Sequence, residues 1–401
     1  MSVDLCNEIL SDLEEGKRPV IQATKCSLDN AIYKPGLGFL TPGPKKTKSE
    51  LNVASVRKMS RAIFMLEMLL RNVNSGGVNT KRELYYMCKG LLKQKAHLKP
   101  LDFEEQNESD STIDFLCEIL ECYREELNCF ANDRGGQTYS KELVVTETMP
   151  DGSNAVIELA NLGTSPFVPK NRPQNLKLEM RKKIEFCLVV ESEGTANTLV
   201  TNGITNRYPC IVIGAQGVPS NSVRAWVKRI QDQLKVPIFF FGDLDAYSLQ
   251  NIYRTLKAGS AASLIRNADF SAPEVKYLGV LPEDISRYDL FYYDVKTSDA
   301  SETRSLKKAK DALENDPFFQ SRKNKGLAKI LHWLVEHRKR CEQQAFFSVN
   351  GNDPRNFEKM ALCHVDEESS SCHAHLNDIK RKAAASVPIL RILRYSNPRA
   401  S

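Results

Sequence analysis

Acidic residues follow two apolar runs in the second half of the chain, where their carboxylates could meet. Glu191 directly follows the run FCLVV, and Asp243 and Asp245 follow the run IFFFG. Short runs rich in branched and aromatic residues are typical of buried parallel strands. Because ligands bind at the carboxyl ends of such strands, we expect the three carboxylates to share one crevice.

This set of acids predicts a magnesium site. A hard divalent cation prefers oxygen ligands and keeps several waters. Unpaired carboxylates at close range raise one another's pKa, and a cation removes that cost. Taken alone, Asp243 is better explained as a helix cap and Glu191 as a solvent-facing side chain. Together, in an α/β setting, the acids resemble the Toprim domain of topoisomerases, primases and some nucleases, and Gly259 and Ser260 add to the likeness.

Alternating strands and helices must position these acids. Four apolar runs (IEFCLVV, CIVIG, VPIFFF and VKYLGV) are separated by amphipathic stretches such as SNSVRAWVKRIQDQLK. This alternation favours a parallel sheet flanked by helices. We therefore expect a Toprim core over residues 184–300. Charged amphipathic helices after it predict a C-terminal helical extension, residues 301–401, packed on that core.

A second group of reactive residues is the string TKRELYY at residues 80–86. Thr80 and Glu83 have the spacing of a capping box at the start of a helix. Arg82 and Tyr86, four residues apart, then share a face, where Arg82 can bind a phosphate and favour the Tyr86 phenolate. Tyr85 points about 100° away and is the better core residue. Composition alone makes neither tyrosine catalytic.

The first half of the chain predicts a separate helical domain. Three helical stretches precede two β-rich runs, ELVVTET and NAVIELA, with the turn MPDGS between them. Three helices and a hairpin are the layout of a winged-helix domain, here residues 51–160. Residues 1–50 predict a flexible arm without its own core, and residues 161–183 a linker. The expected class is α/β, or α+β overall.

The tyrosine string and the Toprim acids together resemble the DNA-cleaving chain of topoisomerase VI (its A-type chain) and its meiotic relatives, over about residues 50–285. In that family the second tyrosine of a Thr-Lys-Arg-acidic-aliphatic-Tyr-Tyr string is the nucleophile, which matches Tyr86. The chain departs from the family pattern at Gln216, where a lysine is usual, and at Leu244 and Ala246, where prolines are usual. These departures favour a eukaryotic meiotic member over an archaeal topoisomerase.

The resemblance implies a type II, topoisomerase VI-like transesterase that forms meiotic DNA double-strand breaks. Tyr86, assisted by Arg82, would form a 5′-phosphotyrosyl link to double-stranded DNA, with Mg²⁺ held by Glu191, Asp243 and Asp245. It also implies a homodimer with active sites shared between protomers. Expected partners are other meiotic break proteins and a topoisomerase VI B-like ATP-binding subunit, with the chain on chromosomes in the nucleus. The basic residues expected to contact DNA are Arg57, Lys58, Arg61, Lys81, Arg82 and Arg224.

Two other hypotheses stay open. One is a metal-dependent Toprim nuclease, or a primase-like protein, that makes no tyrosine intermediate. The other is a non-catalytic scaffold of the same fold that binds DNA and partners. Formation of a covalent protein–DNA adduct distinguishes both from the transesterase.

Composition sets looser bounds on the function. Lys plus Arg exceed Asp plus Glu by only 56 to 50, which allows a nucleic-acid partner without requiring one. No apolar run reaches the roughly 20 residues that span a bilayer, so we expect no membrane partner. Eleven cysteines without a CxxC pair suggest free thiols in a reducing compartment. The Cys/His cluster at 363–375 favours a solvated loop over a zinc site.

Overall fold

A computed structural model describes residues 2–50, 55–94, 101–130, 136–149, 151–163, 167–169, 175–296 and 299–348. Its helices are α1 Ser2–Glu14, α2 Val56–Ser75, α3 Lys81–Gln94, α4 Gln106–Leu120, α5 Glu193–Thr201, α6 Ile204–Arg207, α7 Asn221–Leu234, α8 Arg254–Ala258, α9 Asn267–Phe270, α10 Pro282–Arg287, α11 Ala300–Asn315, α12 Pro317–Gln320, α13 Lys325–His337 and α14 Ala345–Ser348. Its strands are β1 Val20–Thr24, β2 Ala31–Lys34, β3 Phe39–Pro42, β4 Lys46–Glu50, β5 Asn79–Thr80, β6 Cys129–Phe130, β7 Gln137–Tyr139, β8 Leu143–Thr148, β9 Asn154–Glu158, β10 Leu176–Met180, β11 Phe186–Val190, β12 Cys210–Gly214, β13 Ile238–Phe241, β14 Lys276–Gly279, β15 Tyr293–Asp294 and β16 Lys339–Arg340.

Helices α2, α3 and α4 form a helical unit with its own apolar core. Its fully buried side chains include Met65, Leu69, Leu84, Phe103 and Ile113. The two-residue strands β5 and β6 pair in parallel and tie the start of α3 to the end of the unit. The three predicted helices are therefore present, and their core ends at Cys129.

A five-stranded sheet carries the second and larger core. Its strand order is β14-β13-β11-β12-β7, with β11 to β14 parallel and β7 antiparallel to β12. Helix α7 buries the apolar face expected from its sequence, Val223, Val227, Ile230 and Leu234. The predicted α/β class with a parallel sheet flanked by helices is confirmed.

The hairpin of β8 and β9 does not belong to the helical unit, so the predicted boundary at residue 160 is wrong. Strand β10 pairs with β8 and extends the hairpin to a three-stranded antiparallel sheet. Its buried residues Leu143, Val145 and Leu178 lie in the core of the second unit, and β10 packs against α7. The predicted linker, 161–183, therefore contains a strand, because its apolar side chains cover α7.

The prediction that residues 1–50 form a flexible arm without a core is wrong for residues 20–50. Strand β1 pairs with β4, and β2 pairs with β3. Leu40 is fully buried in the core of the second unit, and its carbonyl accepts a hydrogen bond from Asn267 Nδ2 at 3.1 Å. The Tyr33 ring packs edge-on against Phe318. Alternating apolar residues in β2 and β3 supply this contact despite the polar composition of the segment.

The two units meet through a polar and aromatic contact beside α4. The Tyr123 ring packs on Phe270 with centroids 4.8 Å apart, and its hydroxyl donates a hydrogen bond to Asp269. Arg266 lies over the same ring and donates to the carbonyl oxygen of Glu121. This contact fixes the helical unit against the sheet unit.

The helices that follow the sheet pack into the same large core through Ala309, Phe318, Phe319 and Leu331. They are the described part of the predicted extension, 301–401. Residues 349–401, with the Cys/His cluster at 363–375, lie outside the described residues. Within the described ranges, no helix combines the length and apolarity needed to cross a membrane.

Candidate active site

Glu191 and Asp243 meet at one edge of the sheet because their strands are in register. Val190 on β11 pairs with Phe241 on β13, so both strands end together. The Asp243 backbone N–H donates to Glu191 Oε2 at 3.1 Å, and the Ser248 hydroxyl donates to the same oxygen at 2.6 Å. Gly242 is needed here, since a Cβ on it would lie 2.6 Å from Glu191 Oε2. The ends of β11 and β13 therefore bring Glu191 and Asp243 together.

The two aspartates are held by backbone N–H groups. Gln343 N–H donates to Asp243 Oδ1 at 2.8 Å, and Ser248 N–H donates to Asp245 Oδ1 at 2.6 Å. The helix after the loop opens with a π-helical turn, Ser248–Tyr253, a feature that is frequent at functional sites. The bonds from Gln343 and Ser248 fix the positions of both aspartate carboxylates.

Burial shifts the ionisation of all three acids in the same direction. It raises the pKa of Glu191 to about 8, with a further contribution from the charge of Asp243. It raises the pKa of Asp243 to about 6 and also raises the pKa of Asp245. Arg340 is the cation that acts on Asp245 in the opposite sense. The pKa values rise because the charged carboxylates lose contact with water without gaining enough positive charge nearby.

The donor set fits a hard divalent cation. Carboxylate oxygens are the ligands magnesium takes, and magnesium keeps part of its water shell. No three acidic, histidine or cysteine side chains in the described ranges stand close enough to enclose a metal on their own. Glu191, Asp243 and Asp245 supply oxygen atoms of the chemical kind that magnesium takes.

The tyrosine string forms the start of α3 as its sequence predicts. Glu83 N–H donates to Thr80 Oγ1 at 3.1 Å, and Thr80 N–H donates to Glu83 Oε2 at 2.6 Å, which completes the capping box. Arg82 and Tyr86 lie on one face, with the guanidinium carbon 5.8 Å from the ring centroid. Among the described residues, no carboxylate pairs with Arg82, so its charge is free for an anion.

The two adjacent tyrosines differ sharply in environment. The Tyr85 ring is 8% exposed, and its hydroxyl donates to the Glu104 carbonyl at 3.1 Å and accepts from Lys89 Nζ at 2.7 Å. The Tyr86 ring is 57% exposed. The structure therefore leaves the Tyr86 phenol accessible to a large substrate, while Tyr85 is part of the fold.

The residues predicted to contact DNA fall into two groups. Arg57, Lys58 and Arg82 face solvent. Arg57 makes an exposed contact with Glu104 at 3.8 Å, and Lys58 lies over the Phe115 ring. These three cations are available to phosphate.

The other three predicted contacts are turned into the protein, which corrects the prediction. Arg61 donates to the carbonyl oxygens of residues 101 and 102 and to Glu108. Lys81 is 13% exposed and pairs with Asp114 at 3.2 Å. Arg224 is 3% exposed beneath Phe270, and burial lowers its pKa to about 10. Helix periodicity did not predict the burial of these side chains, because long cationic side chains can also hydrogen-bond buried oxygen atoms.

Gln216, where the family usually has lysine, adopts a left-handed backbone with φ of 58°. Its amide donates to Glu193 Oε2, and Gln137 donates to the other oxygen of the same carboxylate. A neutral amide held in this way makes no charged contact with phosphate, so this loop differs electrostatically from the family pattern.

The edge of the sheet where Glu191, Asp243 and Asp245 lie is called the acidic edge. Sequence reasoning missed three residues there. Ser248 bonds both Glu191 and Asp245. Gln343 bonds Asp243, and the charge of Glu342 acts on Asp243 and Asp245. Ser248 follows the Asp-x-Asp loop closely enough to have been a candidate. The other two carry no local signal, because only the tertiary fold brings their segment to this edge.

A parallel sheet with a glutamate after one central strand and an Asp-x-Asp loop after its neighbour defines a protein of the Toprim class. Comparison with family models agrees. A model for the Toprim domain of the topoisomerase 6 A-type chain and Spo11 matches residues 186–354. A model described as type IIB DNA topoisomerase matches residues 57–129, which are the helical unit.

Similar proteins extend over nearly the whole chain. The A-type chain of type 2 DNA topoisomerase 6 from Methanocaldococcus jannaschii is 30% identical over 344 residues, covering 86% of this chain and 88% of that protein. The Pyrococcus abyssi protein of the same name is 28% identical, covering 85% of this chain and 87% of that protein. The A-type chain of DNA topoisomerase 6 from Arabidopsis thaliana is 28% identical, covering 80% of this chain and 69% of that protein. The chain belongs to this family, the A-type chains of topoisomerase 6.

Proposed function

We propose that this chain forms meiotic double-strand breaks in DNA by transesterification at Tyr86. The phenolic oxygen forms a bond to the phosphorus of a phosphodiester, and the bond from phosphorus to the 3′ oxygen breaks. The phenol gives its proton to solvent, and the leaving oxygen takes one to become a 3′ hydroxyl. The products are a 5′-phosphotyrosyl protein and a free 3′ end, with the bond energy kept in the new ester.

The observation that carries this proposal is the contrast between Tyr86 and Tyr85. A nucleophile that attacks duplex DNA must be exposed, and Tyr86 is 57% exposed beside the guanidinium of Arg82. A guanidinium close to the phenol can bind the phosphate that the phenol attacks. Tyr85 is buried and hydrogen-bonded, so it is unsuited to the attack.

The acidic edge supports magnesium assistance in the same reaction. Glu191, Asp243 and Asp245 are the residues that would hold the ion. When bound, magnesium supplies positive charge that neutralises the phosphate and the leaving oxygen. The chain's own part is to keep these carboxylates fixed through the hydrogen bonds of Ser248 and Gln343.

The placement of the two groups on different units supports a homodimer with shared sites. Helix α3 packs against α2, α4 and the short strands of its own unit. The acids lie on the sheet unit, which has a separate core. We propose that Tyr86 of one protomer works with the acidic edge of the other, so that two sites cut two strands.

The proposed setting follows from the relatives and from the departures at Gln216, Leu244 and Ala246. The relatives are each named as one subunit of an enzyme. We propose that this chain likewise works with other meiotic break proteins and with a B-like ATP-binding partner, on chromosomes in the nucleus. The three departures favour a meiotic member.

The test mixes two inactive chains in the complex with the B-like partner. Consider a dimer of one Tyr86→Phe chain and one Glu191→Gln chain. If sites are shared, one site contains both substitutions and the other contains neither. We expect single-strand nicks with protein on the 5′ end, while each variant alone gives no cleavage. No nicks from the mixture would overturn the shared site. Cleavage by Tyr86→Phe alone, without protein-linked ends, would favour a metal-dependent nuclease. DNA binding by the parent with no cleavage at all would favour a scaffold.

A further inference from the structure

Helix α4 ends in a turn that places two cysteines side by side. Glu121 adopts a left-handed backbone with φ of 48°, and its N–H donates to the Cys117 carbonyl. The Cys122 N–H donates to the same carbonyl at 3.1 Å. This second bond is the outer bond of a Schellman motif, in which the side chains of the two bonded residues commonly touch. Here those side chains belong to Cys117 and Cys122, and their thiols hydrogen-bond each other.

Both thiols line a cavity between the helical unit and the sheet unit. The cavity has a volume of about 350 Å³, and its wall also includes Cys26 and, from the sheet unit, Ser263 and Phe270. Cys117 and Cys122 are each half-buried. A small solute that enters the cavity can therefore reach both sulfur atoms.

The hydrogen bond between the thiols makes them chemically unequal. The Cys117 thiol donates to Cys122 and so lowers the pKa of Cys122, and the charge of Arg266 acts in the same direction. The same bond, together with burial, raises the pKa of Cys117. Because the thiolate is the nucleophilic form of cysteine, Cys122 is the thiol suited to react first.

We propose that Cys117 and Cys122 form a peroxide-reactive thiol pair that closes reversibly to a disulfide. The Cys122 thiolate forms a bond to one peroxide oxygen, the O–O bond breaks, and the released hydroxide takes a proton to become water. The Cys117 sulfur then forms a bond to the sulfur of the Cys122 sulfenic acid, the S–O bond breaks, and the leaving hydroxide takes the Cys117 proton. The two thiols are oxidised and the peroxide is reduced to water. A thiol reductant restores the pair by exchange.

The pair is placed to act on the contact between the two units. Cys122 lies between Glu121, whose carbonyl accepts a hydrogen bond from Arg266, and Tyr123, whose ring packs on Phe270. A disulfide would fix the turn that carries both contacts. The inference involves neither Tyr86 nor the acidic edge, so it does not rest on the proposed function.

The first experiment treats the full parent chain with hydrogen peroxide, blocks the remaining thiols by alkylation and analyses tryptic peptides by mass spectrometry. Cys117 and Cys122 lie on one tryptic peptide, residues 96–124. We expect this peptide to lose two hydrogen atoms and to escape alkylation, and dithiothreitol to reverse both changes. Cys26→Ser removes the third thiol of the cavity and should leave the result unchanged. A cross-link from this peptide to Cys26, or an alkylated peptide without the loss, would overturn the proposal.

The second experiment assigns the roles of the two thiols with a 1,3-diketone probe that labels sulfenic acids. In Cys117→Ser the Cys122 sulfenic acid has no thiol to close on, so the probe should label Cys122, whereas the parent should stay unlabelled at both positions. Cys122→Ser should give no label at Cys117, because that thiol has the raised pKa. Label at Cys122 in the parent as strong as in Cys117→Ser would show that the pair does not close.

Discussion

The backbone N–H of Gln343 holds the carboxylate of Asp243, 100 residues earlier in the chain, at 2.8 Å. The acidic edge is thus closed by a segment that lies beyond the sheet and beyond helices α11 to α13. Residues 339–343 belong to the candidate site as much as the strand ends do. A chain cut before residue 339 should keep the five strands of the large sheet and lose the fixed position of Asp243.

The nucleophile can be tested with a matched pair of variants. Tyr86→Phe removes an exposed hydroxyl, so the free energy of unfolding should change by less than about 0.5 kcal/mol. Protein-linked 5′ ends should fall by about a thousandfold or more, because no other group can make the ester. The measurement is recovery of protein–DNA adducts from the complex with its partner.

Tyr85→Phe is the control for that experiment. It removes a buried hydroxyl that bonds Glu104 and Lys89, which should cost about 1 kcal/mol of stability. Adducts should persist. Adducts that survive in Tyr86→Phe and vanish in Tyr85→Phe would move the nucleophile by one residue.

The acidic edge predicts an unusual pH dependence of folding stability when a chelator keeps divalent cations away. Glu191 has a pKa of about 8 in the fold against an ordinary 4.5, so the folded chain binds this proton more tightly than the unfolded chain. Its contribution to stability is complete below pH 4.5 and is lost as pH rises through about 8. Tm should therefore fall across this window, by about 2–4 °C for each kcal/mol lost.

The Glu191→Gln variant should show a flatter dependence, because the amide is neutral at every pH. Added magnesium should raise the Tm of the parent more at pH 8 than at pH 5, since the ion binds the ionised carboxylates. Thermal unfolding from pH 5 to pH 8 measures both effects. Equal slopes of Tm against pH in parent and variant would show that Glu191 does not cause the pH dependence.

The solvent-facing cations predict the salt dependence of DNA binding. Changing Arg57, Lys58 or Arg82 to alanine should weaken binding to all sequences alike. Each lost phosphate contact should reduce the slope of log affinity against log salt by about 0.9. Lys307→Ala, on the exposed face of α11, is the control and should leave the slope unchanged. Fluorescence anisotropy with duplex DNA at several salt concentrations decides this.

Arg61 should behave as a structural residue. It bonds Glu108 and the carbonyl oxygens of residues 101 and 102. Arg61→Met leaves these acceptors without a partner and should cost about 3 kcal/mol. Arg57→Met, one helical turn earlier and exposed, should change stability little while weakening DNA binding. Urea denaturation measures the stabilities, and an unaltered midpoint in Arg61→Met would contradict the structural role.

The sequence by itself determined the local features of this protein. Apolar runs separated by amphipathic stretches specified the parallel sheet, since buried strands and one-sided helices have distinct periods. Acids directly after β11 and β13 had to reach one edge once those strands paired. Thr80 with Glu83 specified the start of α3, and helix periodicity separated Tyr86 from Tyr85.

Only the tertiary structure decided which distant segments meet. The hairpin of β8 and β9 has an apolar face that would fit either unit, and packing with β10 on α7 assigned it to the second. The same holds for residues 20–50, where Leu40 meets Asn267 and Tyr33 meets Phe318, each more than 200 positions away in the chain. Arg61 and Arg224 look like surface cations in the sequence, because burial of a charged side chain depends on partners brought by the fold. Gln343 reaches the acidic edge for the same reason, since a contact across 100 residues leaves no local pattern.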